Sequence, residues 1–212
     1  MFLTLILSSL LTFMELNCEN LFDTRHDSLK NDQEFLPDGS YKWTPYRYWA
    51  KLNHLGQEIV AQSDPVPDFV AMCEVENDSV MFDLTKRSLL RNAGYEYVMT
   101  SSPDERGIDV ALLYQPASFA LLHSHSIRIK PLPDTRPTRD ILYASGLLIT
   151  GDTLHIFVVH APSRRGGEVA SRSYRLHVAD WLAAAVDSVY AISGDAKIMW
   201  QAISMIMLIH PP

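Results

Sequence analysis

Four short clusters of polar residues in this sequence together contain the side-chain types that phosphate-ester chemistry needs. The clusters are ELNCENLFD with Asn17, CEVEN with Glu74, TRDIL with Arg139 and VVHAPSRRGGE with His160. Each also has a structural interpretation, because polar residues are common where strands run into loops. Taken singly, Asn17 can cap a loop, and Glu74 can be a solvated acid. His160 can form a local hydrogen bond, and SRRGG can be a flexible basic turn.

Taken together, the four clusters predict metal-assisted hydrolysis of a phosphoester. A carboxylate such as Glu74 can hold a hard divalent cation, which prefers oxygen ligands and keeps several waters. Asparagine and histidine side chains can hydrogen-bond the phosphate or the attacking water, and arginines neutralise the charge that grows in the transition state. The sequence contains neither the G-x-S-x-G signature of a serine nucleophile nor a Cys/His zinc spacing.

These residues must be positioned by alternating strands and helices, which predicts an α/β fold. The first strand is predicted over residues 12–17, and a buried strand over residues 68–77. Between them, a helix begins after Thr44 as N-cap, with Pro45 at the first helical position. Its apolar residues recur on one face of the helix: Tyr48, Leu52, Leu55 and Ile59. A second helix is predicted over residues 80–92, closed by Gly94.

The second half of the chain predicts an antiparallel meander followed by a helix. Further strands are predicted at residues 95–100, 109–114, 121–129, 139–149 and 153–159, the last three separated by turn-sized gaps. A third helix is predicted over residues 168–190, and a new strand starts at residues 196–198. This order fits two sheets packed face to face with helices outside.

Composition limits the classes of function. The chain has 212 residues, of which 47% are hydrophobic and 20% charged, so it predicts one globular domain. Its formal net charge of −7 means that a nucleic-acid substrate needs a local basic patch or metal ions. Cys18 and Cys73 lie in apolar runs and predict buried free thiols.

The first 11 residues form an apolar segment that resembles the core of a signal peptide. It is too short to span a membrane, and no Lys or Arg precedes it. Export, to the periplasm or medium, and a cytoplasmic location therefore both stay open. Part of the segment equally suits an extension of the first strand.

The motifs LNCENLFD, CEVEN, RGIDVALLY and HAPSRRGG, in this order, resemble the endonuclease/exonuclease/phosphatase superfamily, with its deoxyribonuclease I-like fold. The N-x-E-N-L-F-D motif is similar to that of a bacterial subgroup. The resemblance covers residues 12–198. It implies an α/β fold built as a four-layer α/β/β/α sandwich, and phosphoester hydrolysis that depends on Mg²⁺, with Mn²⁺ as an alternative.

The resemblance also implies a role for each matching residue. Glu74 matches the metal-binding glutamate, and Asn17 matches the asparagine that supports the metal site. His160 matches the histidine that contacts the scissile phosphate and assists proton transfer. Arg139 falls where the family often has an arginine on the phosphate. Arg164 and Arg165 are assigned as further substrate-side charges.

The expected activity is that of a phosphodiesterase or endonuclease on a nucleic acid or a small phosphorylated molecule. The protein is expected to be a monomer without a membrane span. Two alternatives stay open. One is a phosphomonoesterase or lipid phosphodiesterase of the same superfamily, and the other is a catalytically dead remnant or binding protein. Glu76 and Asp109 are nearby acids without an assigned role.

Two motifs of the family pattern, G-D-x-N and S-D-H, do not occur in this sequence, so the sandwich is expected to be incomplete at its C-terminus and the chain weakly active or inactive. Gly194-Asp195 precedes the last predicted strand and is interpreted as a polar turn. Residues 199–212 are interpreted as an out-of-frame, poorly packed tail, with a terminal anchor and a native apolar strand as the rival interpretations. Read from the third base of the Met199 codon, the DNA forces Val and Ala, permits Gly, Asp, Phe and Asn in turn, and then forces Asp. The coding DNA tests this interpretation directly.

Overall fold

A computed structural model describes residues 10–133, 135–163 and 167–203. The α-helices are α1 (Pro45–Ala61), α2 (Asp78–Phe82) and α3 (Glu168–Ile192). The strands are β1 (Phe13–Leu21), β2 (Phe69–Val75), β3 (Glu96–Met99), β4 (Asp109–Tyr114), β5 (Phe119–Ile127), β6 (Ile141–Leu148), β7 (Thr153–His160) and β8 (Lys197–Ile203). Tighter or wider helical turns occur at Gln33–Phe35, Asp83–Arg87 and Leu89–Asn92.

Within the described residues the strands form two four-stranded sheets. The first has the order β1-β2-β4-β3, with β1 parallel to β2 and the other neighbours antiparallel. The second has the order β5-β6-β7-β8, with β7 parallel to β8. The predicted meander is therefore confirmed as β5-β6-β7.

The two sheets pack face to face between helices, as the alternation of buried residues along the strands shows. On β2, Met72 packs with α1 residues such as Leu52 in one core cluster. The neighbouring Cys73 points the other way, into a cluster between the sheets that includes Val158 of β7. On the far side of the second sheet, Phe157 packs against α3. The chain is therefore an α/β/β/α sandwich, as the sequence predicts.

Helix α1 forms where the sequence predicts it, for local reasons. Thr44 caps it by accepting a hydrogen bond from the Arg47 backbone N–H at 3.4 Å, and Pro45 starts it. The four predicted apolar residues of its inner face are all buried. This packing fixes α1 against the first sheet, whose strands β1 and β2 carry Asn17 and Glu74.

The predicted continuous helix over residues 80–92 is wrong. The segment divides into α2, a π-helical turn and a 3-10 turn, and Ser88 between the turns is extended. The Ser88 hydroxyl donates to the Leu84 carbonyl at 2.5 Å and accepts from the Leu90 N–H at 3.0 Å. These side-chain bonds compete with helical backbone bonds and break the helix.

The two ends of the chain are only partly described. Residues 199–203, which the sequence assigns to the poorly packed tail, belong to β8, which pairs with β7 up to His160 opposite Ile203. Residues 193–196 form the predicted polar turn. Residues 1–9 and 204–212, which hold most of the apolar segment and of the tail, lie outside the described residues. No helix in the described ranges is both long enough and apolar enough to cross a membrane.

Candidate active site

Three of the predicted site residues meet at one edge of the sandwich. Glu74 lies near the carboxyl end of β2, and His160 ends β7. Their facing atoms, Glu74 Oε1 and His160 Nε2, are 3.7 Å apart. Arg139 precedes β6, which runs antiparallel to β7, and its Nη2 donates to the Ala161 carbonyl at 3.5 Å. The topology thus brings the carboxylate, the imidazole and the guanidinium together.

Glu74 is held in an unusual backbone conformation. It occupies the left-handed region with φ of 60°, where the β2–β4 register shifts, which marks a β-bulge. Such a conformation costs a residue other than glycine on the order of 1–3 kcal/mol and persists where the surroundings fix it. The Asn20 backbone N–H donates to Glu74 Oε2 at 2.9 Å. Asn20 is itself left-handed in a matching irregularity of β1. One carboxylate oxygen is thus fixed, and the other faces His160.

His160 is almost completely buried, with 4% of its surface exposed. Burial, followed by the positive charges of Arg139 and Arg106, lowers the pKa of His160 to about 3. Its Nδ1 is buried without a hydrogen-bond partner in the described part of the chain. The imidazole is therefore neutral near pH 7, and it contributes hydrogen bonding rather than positive charge.

Arg139 supplies the positive charge of the site. It is 9% exposed, and its Nη1 lies 3.4 Å from Asp104 Oδ2. Burial lowers the pKa of Arg139, and the carboxylate of Asp104 acts in the opposite direction. The guanidinium remains charged because its ordinary pKa is far above neutrality. Its Nε, like His160 Nδ1, is buried and has no partner among the described residues.

Asn17 lies beside Glu74 but does not touch His160 through any described contact. It pairs with Cys73 in the β1–β2 register, and its exposed side chain accepts a hydrogen bond at Oδ1 from the Glu19 N–H at 2.8 Å. Asn17 therefore shapes the β1 irregularity from which Asn20 fixes Glu74, in line with the loop-cap interpretation. Arg164 and Arg165 lie outside the described residues.

Asp104 is a residue that the sequence did not single out. It is 6% exposed, and it stands in the loop between β3 and β4, just before the RGIDVALLY motif. Lys30 fixes this loop by donating to the carbonyls of Ser102 and Asp104 at 3.0 and 2.9 Å. A charged residue next to a motif is only a weak sequence signal for a site residue. The burial of Asp104 depends on its contact with Arg139, which is 35 residues away.

The structure gives the two unassigned acids structural contacts. Asp109 accepts hydrogen bonds from the Thr100 hydroxyl at 2.6 Å and the Ser102 N–H at 2.9 Å, which hold the β3–β4 loop closed. Glu76 is 8% exposed and accepts from the Asp23 N–H at 2.7 Å. Burial, together with nearby acids, raises the pKa of Glu76 to about 8.

The donor atoms at this edge fit a magnesium ion that is held mostly by water and substrate. Mg²⁺ is usually bound through one or two carboxylates, several waters and substrate phosphates. Glu74 Oε1 accepts no backbone hydrogen bond from the described residues, whereas Oε2 accepts one. Within the described ranges no group of three or more His, Cys, Asp or Glu side chains is arranged to hold a metal ion. A closed metal cage is therefore not formed by these residues.

The four-layer α/β/β/α sandwich is the architecture of the deoxyribonuclease I-like class. The profile of the Endonuclease/Exonuclease/phosphatase family matches residues 12–202. The chain belongs to this family. No curated protein sequence matches it significantly.

Solved structures of the same fold include a sugar-phosphate phosphatase, a human catalytic domain and a protein bound to DNA product. A mannosyl-6-phosphatase from Bacteroides thetaiotaomicron is 15% identical, with a TM-score of 0.62 over 91% of this chain and 64% of that one. The human Nocturnin catalytic domain with bound sulfate is 18% identical, with a TM-score of 0.59 over 91% and 63%. D. rerio TDP2 complexed with a single-strand DNA product is 16% identical, with a TM-score of 0.56 over 91% and 59%. The chain thus spans about three fifths of the length of these proteins, and at these identities the likeness establishes the fold.

Proposed function

We propose that this protein hydrolyses phosphoester bonds with the help of Mg²⁺, or Mn²⁺, as a phosphodiesterase or endonuclease. The observation that carries the proposal is the 3.7 Å approach of Glu74 Oε1 to His160 Nε2, with the Arg139 guanidinium against the adjacent Ala161 carbonyl. Membership of the family supports it. So does the DNA-product complex of the distantly similar TDP2.

Each residue has a distinct task in the proposed reaction. Glu74 would hold the metal ion, which when bound polarises the phosphoryl oxygens and orients water. His160, neutral at pH 7, hydrogen-bonds a phosphate oxygen through Nε2 or accepts a proton there. Arg139 faces the charge that grows on the phosphate, and its low exposure keeps competing water away. Asn17 keeps Glu74 in place through the β1 irregularity.

A phosphomonoesterase or lipid phosphodiesterase is the second candidate, and a cleft next to the site favours it. The cleft has a volume of about 310 Å³, and four carboxylates but only one lysine line it: Asp27, Glu76, Asp78, Asp109 and Lys30. Glu76 is largely protonated near pH 7, which leaves three carboxylates against one lysine, so the lining disfavours a long polyanion and suits a leaving group with hydroxyls. The fold is shared with a mannosyl-6-phosphatase, which makes this candidate worth a direct assay.

A substrate panel with Mg²⁺ tests both candidates. The full chain is incubated with plasmid DNA, inositol phosphates, sugar phosphates and sphingomyelin, and product is measured for wild type and the Glu74→Gln variant. Slow turnover of plasmid DNA that Glu74→Gln abolishes supports the first candidate, and turnover of a monoester or lipid supports the second. Glu58→Gln, on the exposed face of α1, is the matched control and should behave as wild type. Turnover that survives Glu74→Gln refutes the proposed site, and no turnover with any substrate leaves a catalytically dead chain.

A further inference from the structure

A pair of histidines on the outer face of the second sheet lies outside the site described above. His123 and His125 belong to β5, and both are exposed. His123 Nε2 and His125 Nδ1 are 3.1 Å apart, and the two ring centroids are 5.1 Å apart. The two imidazoles thus share a hydrogen bond at the surface, and a metal ion held by both nitrogens would replace it.

A β-bulge brings the two rings to this face. The β5–β6 register shifts between Leu121 and His123, so that Leu121 packs between the sheets whereas His123 lies opposite Ser145 and His125 opposite Tyr143. Regular alternation would have placed His123 on the inner face with Leu121. Tyr143 packs on the α3 side of the sheet, and its ring centroid is 4.9 Å from that of His125. The bulge thus exposes both imidazoles side by side.

The separation of the two nitrogens matches the span of two ligands on one metal ion. Metal–nitrogen bonds of about 2.0–2.1 Å place two nitrogens about 3.3 Å apart at a tetrahedral angle and about 2.9 Å apart at a right angle. The observed 3.1 Å lies between these values.

We propose that His123 Nε2 and His125 Nδ1 chelate a borderline divalent metal ion such as Zn²⁺, Ni²⁺ or Cu²⁺, with water in the remaining positions. Imidazole ligands suit these ions, whereas Mg²⁺ prefers oxygen. The site has two protein ligands, which is consistent with the absence of larger ligand groups from the described residues. It is distinct from the candidate active site. His155 of β7 lies opposite Ser145 of β6, which in turn lies opposite His123. Since His155 is five residues from His160 along β7, the two levels of the sheet are roughly 17 Å apart at strand spacing.

Calorimetric titration of the full chain with ZnCl₂ or NiCl₂ in excess MgCl₂ tests the proposal. Wild type should bind one transition-metal ion reversibly, with release by EDTA. His123→Gln and His125→Gln should each weaken binding by at least about tenfold, the lower end of the loss seen on removing even an outer-shell partner. His54→Gln, at an exposed histidine of α1, is the matched control and should bind as wild type, as should Glu74→Gln.

Nitrogen-15 NMR of the histidine rings gives a second readout that does not depend on the variants. On zinc addition the resonances of His123 and His125 should shift together, ahead of those of the other histidines. Thermal melts without metal should show that both glutamine variants are folded. The proposal is overturned if wild type binds no zinc or nickel in excess Mg²⁺, or if the two variants bind as tightly as wild type. It is equally overturned if binding is lost in Glu74→Gln.

Discussion

Replacing Asp104 with asparagine should destabilise the fold by about 3–5 kcal/mol, the usual cost of removing one partner of a buried ion pair. The physical reason is that Arg139 would keep its charge and lose its carboxylate partner. Asp104 and Arg139 are 6% and 9% exposed, so water replaces little of the lost interaction. At their 3.4 Å separation an effective dielectric constant of about 20 gives an attraction of about 5 kcal/mol. The attraction calculated from the distance and the usual loss on breaking a buried ion pair thus agree in magnitude.

Urea unfolding of Asp104→Asn, Arg139→Met and the double variant measures this effect. The double variant should be more stable than Asp104→Asn alone, because it no longer buries an unpaired charge. The neighbouring Glu105→Gln is the matched control. Its partner Arg136, at 3.7 Å, is 84% exposed, so the loss should stay below about 1 kcal/mol. If Asp104→Asn unfolds at the same urea concentration as Glu105→Gln, the interpretation of Asp104 as the counter-ion of Arg139 is refuted.

Three further predictions concern the framework of the site. Ser102→Ala should cost about 1–3 kcal/mol in urea unfolding, because buried Asp109 loses a hydrogen-bond donor; wild-type stability would contradict this. Leu52→Ala should cost about 2–5 kcal/mol by leaving a cavity under α1, and a loss under 1 kcal/mol would show that α1 is loosely packed. Burial raises the pKa of Asp68, but hydrogen bonds from Ser118 and Thr12 outweigh it and leave the pKa below 3.8. The stability that Asp68 adds is therefore present above about pH 4 and lost as the pH falls through the lowered pKa. Wild type and Asp68→Asn should converge in acid thermal melts, and a constant difference would count against this linkage.

The sequence predicts the layers of the fold well because burial periodicity is local information. Met72 and Cys73, adjacent on β2, point into different cores, as alternation along a buried strand requires. The break at Ser88 was missed because apolar periodicity does not register a serine hydroxyl that bonds the backbone in place of a helical partner. Residue propensities and the apolar pattern therefore predict which helices and strands form. Individual side-chain hydrogen bonds decide where those elements end.

The candidate site was predicted in part for the same reason. Glu74, His160 and Arg139 each stand at a strand end, and strand order alone brings them to one edge of the sandwich. Nothing in the sequence indicates that Glu74 adopts a left-handed backbone conformation, because the Asn20 N–H that fixes it comes from another strand. The role of Asp104 likewise exists only when the β3–β4 loop lies over Arg139. Long-range contacts of this kind require the structure.

Mg²⁺-linked thermal stabilisation of wild type and Glu74→Gln is the measurement that tests the proposed site most directly, because it requires metal binding and no turnover. Wild type should melt at progressively higher temperature as MgCl₂ is added, with about 2.7 kcal/mol of stabilisation at a hundred times the dissociation constant. Glu58→Gln should follow wild type, and Glu74→Gln should show no Mg²⁺ dependence. Equal stabilisation of Glu74→Gln and wild type, or none in either, would contradict the assignment of Glu74 as the metal ligand.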